Sequence, residues 1–250
     1  MLSSPAFLLR VVNYRESDRI VTLYTRELGR VGAMAKAARG SRRRFAGALE
    51  YFVLFDALLT APSREGRLYG LTETTLRHSH AGLAANLEAL SAAASLLELV
   101  AGATPEGEPD ARLFDGLAAG ISTLAGSTPL CARAVFITCA LSILRRTGFA
   151  VSTGGCNICG APLPEGRSAY FDAARGGVVC TSCGGGPLRL PAAAVGLLAR
   201  LDRSSPEAAA RIDVDGALLA PLEEALEQFI RRHLEKDLKT FSFRKQVCPS

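Results

Sequence analysis

Ala6-Phe-Leu-Leu-Arg-Val-Val-Asn-Tyr14, Arg19-Ile-Val-Thr-Leu-Tyr-Thr25 and Val31-Gly-Ala-Met-Ala-Lys36 read as three consecutive strands, the last two joined by a turn at Glu27-Leu-Gly-Arg30. The second run is rich in β-branched residues, which suit a pleated, half-buried surface. Tyr51-Phe-Val-Leu-Phe-Asp-Ala-Leu-Leu-Thr60 is a fourth strand, too apolar for a sheet edge, and Arg67-Leu-Tyr-Gly-Leu-Thr-Glu-Thr74 a fifth, after a turn over Pro62 to Gly66. Five short strands within residues 6–77 suit a small closed barrel of the OB type.

From residue 80 the period changes. Leu83, Leu87, Leu90, Ala94, Leu97 and Val100 recur at three- and four-residue steps, the spacing of one helix face. Further helices are expected over 111–124 (Leu113, Phe114, Leu117 and Ile121 inward), over 130–147 (closed by Gly148), over 191–203 (opened by Pro191) and over 216–238.

The helical pattern is interrupted by two Cys-x-x-Cys pairs, Cys156-Asn-Ile-Cys159 and Cys180-Thr-Ser-Cys183. Four thiolates on two glycine-flanked knuckles suit one tetrahedral Zn²⁺. A hairpin between them, Ser168–Phe171 and Val178-Val179 with a turn over Asp172 to Gly177, makes the insertion a zinc ribbon. Four Cys close the coordination sphere, so the zinc is expected to be structural. The rival is a pair of redox motifs, which wants a thioredoxin-like βαβ context that this sequence lacks. A disulfide framework is disfavoured, because Met1-Leu-Ser-Ser-Pro lacks the basic start and apolar run of a secretion signal. Cys131 and Cys139 lie in apolar helical sequence and are expected to be buried; Cys248 is remote from the knuckles.

The fold class is therefore α+β: an N-terminal OB-fold β-barrel, then an all-α domain interrupted by a zinc-ribbon insertion. The expected boundaries are 1–79 for the barrel, 80–150 for the first helical part, 151–186 for the ribbon and 187–250 for the second helical part with its basic tail. No apolar run approaches the length of a membrane helix, the best candidate, Leu83 to Val100, being broken by Asn86, Glu88, Ser91, Ser95 and Glu98. A cytoplasmic protein with no membrane partner follows.

The net charge of +5 is unevenly spread. Residues 1–80 carry 13 Lys+Arg against seven Asp+Glu, residues 81–229 ten against 15, and residues 230–250 six against two. Basic ends around an acidic middle point to a polyanionic partner. The densest run, Lys36-Ala-Ala-Arg-Gly-Ser-Arg-Arg-Arg-Phe45, holds five cations and no acid and links the third and fourth strands. Lys36, Arg39, Arg42, Arg43 and Arg44 are thus candidates to track phosphates, with binding driven by counterion release. Tyr14, Tyr24 and Phe45 are possible stacking platforms, though Tyr24 on a strand and Phe45 at a loop end suit the core better. Cations from Arg231 to Lys239 also complement the end of a helix.

Chemistry-bearing motifs are missing. There is no GxxxxGK[ST] loop and no HExxH, and His78, His80 and His233 are scattered. Glu16 and Asp18 have no partner carboxylates at useful spacing. The sequence does not read as an enzyme.

Taken together, Leu9-Arg-Val-Val-Asn-Tyr-Arg-Glu-Ser-Asp-Arg-Ile-Val-Thr-Leu-Tyr-Thr25, Gly29, the Lys36–Phe45 loop, Leu49-Glu-Tyr-Phe52, Thr147-Gly148-Phe149, the knuckles and His233-Leu-Glu-Lys-Asp-Leu-Lys-Thr-Phe-Ser-Phe243 resemble the RecO recombination mediator family over nearly the full chain. The resemblance implies a non-enzymatic protein, bacterial and nucleoid-associated, that binds single- and double-stranded DNA and anneals complementary strands. It implies that, with RecR, the protein assists RecA loading onto DNA coated by single-strand-binding protein. By position it assigns DNA contact to Lys36, Arg39, Arg42, Arg43 and Arg44. It also gives the helical domain a role in docking the acidic C-terminal tail of single-strand-binding protein, for which Arg133, Arg145 and Arg146 are candidates. The competing reading is an RNA-binding or ribosome-associated assembly factor, a setting where OB barrels and zinc ribbons also occur.

Overall fold

Alternation of small and branched apolar residues builds the first unit. In the computed structural model, which describes residues 1–250 except 42, 46, 63, 65–67, 164–165, 235–237 and 241–250, five strands close into a barrel: β1 (Leu2–Tyr14), β2 (Asp18–Thr25), β3 (Gly29–Ala35), β4 (Val53–Thr60) and β5 (Tyr69–Ser79). Their order is β1-β2-β3-β5-β4, with β4 returning to β1. All pairs are antiparallel except β3 with β5, where Ala33, Met34 and Ala35 face Tyr69, Gly70 and Leu71. This is the expected OB-type barrel. Ala6, Leu8, Val21, Leu23, Val31, Ala33, Ala35, Phe55, Ala57 and Leu59 point inward at every second position and fill the core.

The strand bounds differ from the sequence expectation for local reasons. β1 reaches back to Leu2 because β4 offers it a partner as far as Leu59. β4 begins at Val53, not Tyr51, because Phe52 takes a left-handed turn conformation, φ +65°. Tyr24 and Phe7, register partners on the barrel's outer face, are also fully buried. The cover is α2 (Ala111–Leu124), whose Phe114 ring lies 5.7 Å from Phe7 and 5.9 Å from Tyr24. Arg26 donates to both carboxylate oxygens of Asp115 at 2.8 and 2.9 Å. Met1–Ala81 and Thr104–Ile121 accordingly form one compact unit.

Gly82–Ala103 and Ser122–Ser250 form the second unit. The long apolar α3 (Pro129–Arg146) is its centre and packs against α1 (Leu87–Ala103), α4 (Ala192–Asp202), α5 (Pro206–Ala209) and α6 (Gly216–Leu234). Thr128 caps α3, Pro129 opens it, and Gly148 at φ +89° follows its end. The first helix starts later than expected. Asn86 Oδ1 accepts the N–H groups of Glu88 and Ala89, so α1 begins at Leu87, which is exposed, while Leu83 is buried in a separate 3-10 turn. Cys139 is buried as expected; Cys131, in the first turn of α3, is only half-buried. No helix among the described residues is long and apolar enough to cross a membrane.

The interruption is a three-stranded sheet. β6 (Ala169–Asp172) pairs with β7 (Gly177–Val179) as the expected hairpin, and β8 (Leu188–Leu190) adds to the other edge of β6. The sheet is seated on α6 through Phe171 against Phe229, centroids 6.5 Å apart, and through a 2.9 Å contact from His233 Nε2 to the Ala173 carbonyl.

Candidate nucleic-acid interface and metal centre

The two knuckles bring Cys156, Cys159, Cys180 and Cys183 together, all four Sγ atoms within 4.8 Å of one another. A tetrahedral zinc with Zn–S bonds of about 2.3 Å needs sulfurs about 3.8 Å apart, so only small movements separate this set from a bound ion. The first knuckle is closed by the Cys156 N–H to Ala161 O and the Gly160 N–H to Cys156 O, both 2.9 Å, with Gly160 at φ +71°. The second is a 3-10 turn over Thr181–Cys183, ended by Gly184 at φ +93°. They are tied to each other by the Cys180 N–H, which donates to Cys156 Sγ at 3.3 Å, and by the Asn157 N–H to Val178 O. Backbone N–H groups, that of Cys180 foremost, pull the Cys156 thiol down to about 6, toward the thiolate that a metal needs. The donor set fits zinc, and four protein ligands leave no position for a substrate.

The basic segment joins β3 to β4 as expected, and it is anchored near its start and at Arg44. The Ala37 N–H donates to Asp18 Oδ1 at 2.8 Å; the Arg39 N–H and guanidinium donate to the carbonyls of Ser17 (3.0 Å) and Glu16 (2.9 Å). At the far end Arg44 O accepts from Thr74 N–H and Thr74 Oγ1 at 2.8 and 3.1 Å, while the Arg44 guanidinium donates to Lys36 O. Ala38, Phe45, Ala48 and Leu49 are buried and belong to the barrel core. Lys36, Arg39, Arg43 and Arg44 are exposed; Arg42 lies outside the described residues.

Anchoring of this kind aims cations without tying up their charge, since the partners are mainly carbonyl oxygens. Glu16 and Asp18 have no carboxylate partners, and only the Asp18 side chain holds the loop; Glu16 contributes its backbone carbonyl. The aromatics divide as the sequence favoured. Tyr24 and Phe45 are core, and Tyr14 is exposed beside Arg15, whose guanidinium carbon sits 5.2 Å from its ring centroid. Arg44 lies over Phe45 in the same way, at 5.1 Å. In the helical unit Arg133 makes a half-buried pair with Glu223 at 2.7 Å, Arg145 pairs with Asp202, and Arg146 is exposed.

Comparison with known proteins places both units. A family model described as "Recombination protein O N terminal" matches residues 1–80, and one described as "Recombination protein O C terminal" matches residues 84–241. A protein of Anaeromyxobacter dehalogenans (strain 2CP-C) is 36% identical over 244 residues, covering 96% of this chain and 94% of its own. One of Myxococcus xanthus is 35% identical over 246 residues (97% and 96%), and one of Geobacter metallireducens 34% identical over 250 (98% and 97%). Each of the three is named DNA repair protein RecO. With its barrel and helical unit each matched, and with relatives alike from end to end, this chain belongs to the RecO family of DNA repair proteins.

Proposed function

We propose that the chain binds single- and double-stranded DNA through its barrel and anneals complementary strands. With RecR, it assists RecA loading onto DNA coated by single-strand-binding protein. The observation that carries this reading is the anchored loop: exposed Lys36, Arg39, Arg43 and Arg44 on one edge of an OB-type barrel. Cations held this way neutralise phosphates and release condensed counterions, a drive that ignores sequence. Annealing asks for that indifference, since any two complementary strands must be accepted. It breaks and makes base pairs only, so the protein acts without a catalytic group or nucleotide.

Cys156, Cys159, Cys180 and Cys183 would hold a structural Zn²⁺, which fixes the knuckles when bound. The acidic tail of single-strand-binding protein would meet the helical unit, where Arg133, Arg145 and Arg146 on α3 are the candidate contacts. Action on chromosomal DNA in the cytoplasm goes with this reading.

The test replaces Arg42, Arg43 and Arg44 together by Ala. Binding to a fluorescent single strand should weaken and its dependence on salt flatten by about one counterion for each arginine in contact. Annealing without ATP should fall with it. Unchanged annealing by this variant would remove the loop from the mechanism. Stronger binding to structured RNA than to single-stranded DNA at matched salt would favour the ribosome-associated reading instead.

A further inference from the structure

We propose that the groove between the first cysteine knuckle and α4 is a second site for a nucleic-acid phosphodiester backbone, through which the chain takes up another strand while its barrel is occupied. The inference rests on the strand-annealing reading and adds to it a site in the other unit.

The groove encloses about 720 Å³. One wall is the chain on either side of the knuckle, Gly154 before it and Arg167 after it; the other is α4, presenting Val195, Gly196, Arg200 and Arg203. Arg167, Arg200 and Arg203 are exposed, and among the described residues none of them is in an ion pair. The neighbouring acid on α4, Asp202, is already engaged. Its carboxylate accepts from Thr153 Oγ1 at 2.7 Å and pairs with Arg145, whose guanidinium also reaches the Asp202 carbonyl at 2.9 Å. Three positive charges therefore face the groove.

The charge is also regional. Residues 142–205 carry seven arginines against three acids, whereas the rest of 81–229 carries three against 12. The acidic total of the middle of the chain conceals a basic island around the ribbon. A net excess of positive charge over this stretch suits a long polyanion better than a short acidic peptide. Among the described residues no aromatic lines the groove, so the sugar–phosphate chain is the part recognised. The chain before the knuckle is tied to the chain after it by the Cys156 N–H to Ala161 O bond and the Gly155–Pro162 bridge.

Gly196 supplies a clean probe. A Cβ added there meets nothing within 4 Å, and any ordinary side chain favours a helix over glycine. Gly196→Glu puts a carboxylate among the three arginines without a clash, and Gly196→Gln is its uncharged match. The full-length protein is mixed with two oligothymidine strands, one carrying a donor dye and one an acceptor, which cannot pair with each other. Energy transfer then reports two strands held together. We expect Gly196→Glu to cut that signal about fivefold relative to Gly196→Gln, by adding a repulsive charge at the site. Affinity for a first strand and zinc content should stay within about twofold, because the barrel and the knuckles are untouched. Replacing Arg167, Arg200 and Arg203 by Ala should do the same and flatten the salt dependence of second-strand uptake by about three counterions.

Full two-strand signal in both variants would overturn the proposal. So would a Gly196→Glu protein that loses binding of a labelled oligoaspartate peptide while keeping both DNA strands, since the groove would then be a peptide site. If the unaltered protein fails to anneal but its two-strand signal is sensitive to Gly196→Glu, the annealing reading falls and the groove stands. If it anneals and Gly196→Glu changes nothing, the groove falls alone.

Discussion

Gly29 shows how closely single residues are constrained in the barrel unit. It sits at φ +67°, and a Cβ there would lie 2.2 Å from the Glu108 carbonyl oxygen, so both backbone conformation and space demand glycine. Gly29→Ala should cost about 2–3 kcal/mol of unfolding free energy. Gly47→Ala, at a similar φ of +66° but with nothing within 4 Å, should cost only about 1 kcal/mol. Equal losses would mean that the contact with Glu108 is immaterial. His80 makes a second residue-scale prediction. Burial, with His78 4.5 Å away, holds its imidazole below the usual range despite an opposing contact with Phe52 O. The unfolded chain therefore takes up the proton first, so stability is full above about pH 6.5 and is lost progressively as pH falls below it toward the lowered folded-state value. Thermal melts between about pH 7.5 and pH 5.5 should show this fall, reduced in His80→Gln; an identical slope in the variant would assign the effect elsewhere. At this scale the sequence was a partial guide. Tyr24 and Phe45 are legible as core from their places on a strand and at a loop end. The anchoring role of Asp18 is not legible, because its partner, the Ala37 N–H, is on another strand's exit.

Elements were more readable than residues wherever a period or a spacing encoded them. The five strands, the inward stripe of α2 and the metal knuckles follow from alternation, three- and four-residue steps and Cys-x-x-Cys. What escaped depended on neighbours: β8 is a three-residue strand that exists because β6 has a free edge, and Leu87 is exposed because Asn86 caps the helix just before it. That α2 covers Phe7 and Tyr24 could not be read from a helix pattern alone, since the pattern gives a buried face without naming what buries it. Phe114→Ala should therefore destabilise the barrel unit by about 3–4 kcal/mol, measured by denaturant unfolding. A loss near that of a surface substitution would show that the helix does not hold the barrel face. The ribbon makes the opposite prediction. Cys156→Ser should abolish stoichiometric zinc while leaving first-strand affinity within about twofold, because the knuckles and the basic loop belong to different units. Parallel loss of zinc and first-strand affinity would contradict that independence.

At the scale of the molecule, charge distribution carries most of the functional argument. The basic barrel loop stood out in the sequence because its cations are consecutive. The arginines around the ribbon did not, because they are dispersed along the chain and gathered only by the fold. Membership of the RecO family accounts for the pairing of barrel and helical units and for the DNA repair setting. The central claim is that the chain brings complementary strands together by electrostatic contact with their backbones. Its most direct measurement is annealing of two complementary oligonucleotides, each precoated with single-strand-binding protein, in the absence of ATP. The account predicts acceleration by stoichiometric protein that disappears at high salt and in the Arg42, Arg43, Arg44 triple-Ala variant. No acceleration by a protein that still binds bare strands would contradict it.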